Sequence, residues 1–121
     1  LIVEELTDGQ RFLIHGPGGY SHPGGGFIVD AKGSILDSLG WEVAWESVSS
    51  DGRYVIGEQT VEDGHAILSS KLFLGDVHGR WRKEIPGSDG ALNPHFSREG
   101  FFIAYGQRDS LKIGRLQIDE E

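Results

Sequence analysis

The chain has 121 residues, with 11 Lys plus Arg against 19 Asp plus Glu and a formal charge of −8. That length suits one domain or part of a larger one, and the scattered cations and acidic balance argue against nucleic acid or an anionic membrane as partner. No stretch nears the roughly 18 apolar residues of a membrane span, no N-terminal segment reads as a secretion signal, and without Cys there is neither a disulfide frame nor a thiolate zinc site. In chain order, short apolar runs alternate with clusters of Gly, Asp, Ser and Pro, and no long helical period occurs, so the expectation is an all-β chain with many turns. The first run is Thr7 to Ile14, opening on Asp8-Gly9; the Gly-rich stretch Gly16 to Gly26 follows, then Phe27 to Gly33. Ser50 to Ile56 opens on Asp51-Gly52, Leu72 to Gly79 comes next, and Arg98 to Ala104 opens on Glu99-Gly100 before the weaker Ile113 to Leu116.

These runs repeat. Their acidic residues stand at 8, 51 and 99, giving spacings of 43 and 48. Gly takes the positive φ of a tight turn and Asp hydrogen-bonds turn backbone, so each acidic-Gly pair predicts a hairpin of type I or I′. The consecutive apolar residues after each pair suit a strand covered on both faces. A period in the forties with several short strands per unit is the pattern of propeller blades.

Ser50 to Ile56 followed by Leu72 to Gly79 resembles the repeat of TolB-like β-propellers, and Asn93 to Gly100 resembles the opening of that repeat, with Glu99 in place of the usual Asp. The likeness runs from about Val43 onward and is weaker before it. It implies about three four-stranded antiparallel blades, over about 1–40, 41–87 and 88–121, in one partial β-propeller. Inner strands fall at 1–6, 43–49 and 92–97, the next at 11–15, 53–58 and 101–105, the third at 27–31, 72–77 and 111–117. Outer strands fall at 35–39 and 80–85, and the last blade is incomplete. Three blades do not close a ring, so the expected partners are the remaining blades of the same propeller or another copy of the chain. Apolar faces around Phe96, Phe102 and Ile103 are expected to stay open.

The blade polarity implied by the resemblance brings one group of residues to a common rim. His15 and Glu58 end second strands, His22 and His65 lie in the 16–26 and 57–71 loops, and Asn93 and His95 begin the third inner strand. His78 falls on the opposite side. His65 and His95 are the candidates for catalysis, and Tyr20, His22, Trp41, Glu58 and Asn93 for ligand binding. Tyr20 offers a stacking face inside a Gly-rich loop. No paired His spacing, phosphate cradle, Ser-His-Asp order or nucleophile elbow occurs, so neither a metal nor a cofactor is implied. Glu42, Glu46, Glu58, Glu62 and Asp63 read as an acidic, solvated rim.

Three functions of different kinds follow. The first is a binding scaffold presenting rim loops to a protein or glycan. The second, implied by a looser likeness to propeller polysaccharide lyases such as oligogalacturonate lyase, uses the rim histidines. An accessory propeller gating a hydrolase domain is a third. The resemblance favours a periplasmic or extracellular setting, and fold alone does not decide among these functions.

Overall fold

A computed structural model describes residues 2–15, 25–40, 42–64, 66–98 and 102–116. Among them are eleven strands and no helix, arranged as three antiparallel sheets of four, four and three strands. The first contains β1 (Ile2–Glu5), β2 (Arg11–His15), β3 (Phe27–Asp30) and β4 (Ile35–Ser38), side by side in chain order. The second contains β5 (Ala44–Val48), β6 (Tyr54–Asp63), β7 (Ala66–Asp76) and β8 (Arg82–Glu84). The third contains β9 (Ala91–Phe96), β10 (Phe102–Gln107) and β11 (Ser110–Arg115). No sheet closes on itself.

The acidic-Gly pairs form turns as their chemistry requires. Asp8 Oδ1 accepts the N–H groups of Gln10 and Arg11, and Gly9 sits at φ 68°. Asp51 Oδ1 accepts from Arg53 N–H and from the Ser49 hydroxyl, with Gly52 at φ 74°. Gly9 N–H bonds Leu6 O and Gly52 N–H bonds Ser49 O, while Thr7, Asp8, Ser50 and Asp51 keep negative φ. Type I′ would need positive φ at both central residues, so these are not type I′ turns. Glu99-Gly100 lies outside the described residues.

The middle sheet departs from expectation. The segment 57–71, expected as a loop, instead continues the β6–β7 ladder over 57–63 and 66–71: Gln59 pairs with Lys71, Val61 with Ser69, and Asp63 with Ala66, with Gly64 at φ 61°. Backbone pairing and the β-branched Thr60 and Val61 sustain a strand whose polar side chains point to water. Val61, Ile67 and Leu68 are exposed on this extension.

Two apolar cores lie between the sheets. Leu6, Leu13 and Ile28 of the first meet Val43, Trp45 and Val55 of the second. Ile56 and Leu72 of the second meet Ala91 and Ile103 of the third, with Phe96 and Tyr105 packed alongside. The run Tyr54–Gly57 is buried throughout, because the middle sheet is covered on both faces. At the first seam Trp45 Nε1 donates to Leu39 O at 2.9 Å, and its ring fills the space a side chain at position 75 would need, hence Gly75. At the second, Phe96 N–H donates to Ser47 Oγ at 3.0 Å. Ile103 and Phe96 are therefore not open as expected. The exposed apolar groups on the far face of the third sheet are Phe102, Leu111 and Ile113, with Val3 and Ile35 exposed on the first.

Candidate functional site

The side chains that stand out chemically gather where all three sheets contribute. Glu4 lies on β1 and faces the same side as Leu13, its partner on β2. His15 ends β2, is 5% exposed, and holds Nε2 3.9 Å from Glu4 Oε1. That is beyond hydrogen-bond reach, and among the described residues neither ring nitrogen has a hydrogen-bond partner. A buried imidazole in that condition is unusual, since buried polar groups are nearly always satisfied.

Glu46 stands on β5 at the irregularity where the β5–β6 register shifts between Trp45 and Ser47. Burial pushes its carboxyl up to about 9, helped by a hydrogen bond with Glu58 and by the charges of Glu58 and Glu4. Glu46 therefore carries a proton at neutral pH and shares it with Glu58, while its Oε2 is buried with no hydrogen-bond partner among the described residues. Glu58 Oε1 in turn accepts the N–H of Asn93 at 3.1 Å. Asn93 adopts φ 57°, at the point where the β9–β10 register shifts. Asn tolerates that left-handed conformation better than most residues, though Pro94 behind it opposes helical backbone. Strain of this kind persists where the surroundings fix it. A proton-bearing carboxyl, a second carboxyl hydrogen-bonded to it and a buried imidazole together can exchange hydrogen bonds or a proton with a ligand.

Of the residues singled out in the sequence, Glu58 and Asn93 are brought together. His95 is exposed on β9, opposite Ala104 and two residues from Asn93. Tyr20, His22, Trp41 and His65 lie outside the described residues. His78 lies at the opposite end, with Nδ1 3.2 Å from Asp37 Oδ2. Two members were missed. Glu4 carries no local motif, and Glu46 read as one of several solvated acids. An acidic residue inside the alternating run Ala44–Val48 was the available clue, since its neighbours Trp45 and Ser47 are buried. Among the described residues, no three His, Asp or Glu are grouped as a metal ion requires.

No family model matches the sequence, and no curated protein does. Among solved structures, the chain is similar to one from Kuenenia stuttgartiensis hydrazine synthase, with a TM-score of 0.64 and 14% identity. The match covers 92% of this chain and 38% of that one. At that identity the likeness establishes a shared all-β fold, and this chain spans well under half of its neighbour's length.

Proposed function

We propose that the chain is a run of three β-propeller blades serving as a binding scaffold, with a protein or glycan partner received around Glu4, Glu46, Glu58 and Asn93. The observation that carries this reading is the way the sheets stack. Each later sheet docks its first strand on the one before it, β5 against β2 and β9 against β5, β6 and β7. Blades around an axis follow one another in this manner. The exposed Val3 and Ile35 on one outer sheet, and Leu111 and Ile113 on the other, supply faces for further blades or a second copy. The test is an experimental image of the assembled particle, by electron microscopy or crystallography. A closed ring of repeated sheets is expected; an open, monomeric stack would overturn the propeller reading.

A polysaccharide lyase is the second reading, favoured by the proton-bearing Glu46 against Glu58, with Glu4 linking them to His15, whose ring nitrogens have no hydrogen-bond partner among the described residues. Such an enzyme removes a proton next to a uronate carboxyl and expels the glycosidic oxygen, leaving an ultraviolet-absorbing double bond. Incubation with polygalacturonate distinguishes the two. Product absorbance that Glu46→Gln and Glu58→Gln abolish would establish the lyase; binding without product favours the scaffold.

A further inference from the structure

The opposite end of the strands carries a different chemistry. Arg11 begins β2 where His15 ends it, and there a groove of about 760 Å³ crosses the seam between the first and second sheets. We propose that this groove is a separate binding site for a compact organic anion that lays a flat or apolar face on Trp81. Five of the chain's eleven cations line it: Arg11, Arg53, Arg80, Arg82 and Lys83. Two carboxylates, Asp51 and Asp76, lie among them, and Asp8 and Glu42 pair with Arg11 and Arg82 from just outside, so the cations keep a net 5 − 4 = +1 on a chain of −8.

Three of the five cations are paired with carboxylates. Arg80 Nε donates to Asp76 Oδ2 at 2.6 Å, Arg11 Nε to Asp8 Oδ2 at 2.7 Å, and Arg82 Nη1 to Glu42 Oε2 at 3.2 Å. Each guanidinium keeps further N–H groups for a ligand. Lys83 has no carboxylate partner among the described residues; its Nζ lies 5.6 Å from the centre of the Trp81 ring. Trp81 is 40% exposed, tilted at 53° to the buried Tyr54 ring 6.1 Å away. It also borders a second cavity of about 400 Å³ that shares Asp76, Arg80 and Arg82 with the groove. An exposed indole beside several guanidinium donors suits stacking together with anion capture.

Size and charge limit the ligand. The volume lies within the range of small-molecule sites. The −8 charge of the whole chain repels a long polyanion, whereas a ligand held inside the groove meets the local positive lining at close range. Phosphate and carboxylate are both within this chemistry.

Calorimetric titration of the 121-residue chain, in the assembly it forms, tests the proposal with two pairs of probes. AMP is compared with adenosine, and glucuronate with glucose. At least one anion is expected to bind about tenfold or more tightly than its neutral counterpart, and which one does identifies phosphate or carboxylate as the preferred group. Trp81→Ala is expected to weaken that anion about tenfold, in keeping with the loss of a stacking face. Lys83→Gln, at an exposed position that folding does not depend on, should weaken it about threefold to fivefold. Lys112→Gln, an equal charge change on β11 away from the groove, should leave it unchanged. The proposal is overturned if neither anion exceeds its neutral counterpart, or if Lys83→Gln and Lys112→Gln weaken binding equally.

Discussion

Glu46 is the residue on which pH should act most visibly. The folded chain holds its proton up to about pH 9, whereas an unfolded Glu releases it near 4.5. The native state thus binds more protons between those values, and stability falls as pH rises through that window. Glu46→Gln keeps the shape and a donor for Glu58 while removing the titration. It should match the parent at pH 5 and melt higher at pH 8. Solvent reaches part of the side chain and screens the effect to about 1 kcal/mol, or about 4 °C. Parallel melting curves across pH 5–9 for both proteins would contradict this. Asp76 works in the other direction. Burial raises its carboxyl, but the Arg80 guanidinium and the N–H groups of His78 and Arg80 outweigh burial and hold it below the ordinary value. Its contribution is present above the unfolded pKa of about 3.8 and is lost as pH falls through the lower folded one. Asp76→Asn should cost about 2 kcal/mol at neutral pH in urea titration, as expected for a charge-assisted hydrogen bond, and little at pH 2.

At the scale of strands and turns, Gly75 and the β6–β7 extension make opposite predictions. A Cβ at Gly75 would stand 2.6 Å from the Trp45 ring, which is held by its bond to Leu39 O. Gly75→Ala should destabilise by about 1–3 kcal/mol, the usual effect of overpacking, and shift Trp45 fluorescence. Ile67→Ser with Leu68→Ser on the exposed extension should stay within about 0.5 kcal/mol of the parent in the same denaturant titration. The strands bounded by Asp-Gly turns were legible in the sequence because turn chemistry and buried runs are local. The extension was not, because Glu62 and Asp63 look like loop residues and cross-strand pairing leaves no local mark. The carboxyl cluster was half legible for the same reason. Glu58 and Asn93 follow from the strand polarity that the repeat leads one to expect, but the meeting of Glu4 with Glu46 depends on how one sheet lies against the next.

For the whole molecule, the outer sheet faces decide behaviour in solution. Phe102, Leu111 and Ile113 are exposed on the third sheet, and Val3 and Ile35 on the two edge strands of the first. Association that covers them is expected to appear in sedimentation velocity as a concentration-dependent rise in mass. Leu111→Lys with Ile113→Lys should reverse it while leaving circular dichroism unchanged, since both side chains are solvent-exposed. A parent that sediments as a monomer at every concentration would sink the idea that these faces seek partners.

Each seam is made by two adjoining sheets: Trp45 reaches Leu39, and Ser47 reaches Phe96. A chain built this way can lengthen by copying one sheet with its turn, because a new unit needs to fit only the face it lands on. Residues away from the seams are then free to diverge from copy to copy. The seams preserve the architecture while the ends of the strands acquire their own chemistry: here carboxyls and a histidine at one end, arginines around an indole at the other.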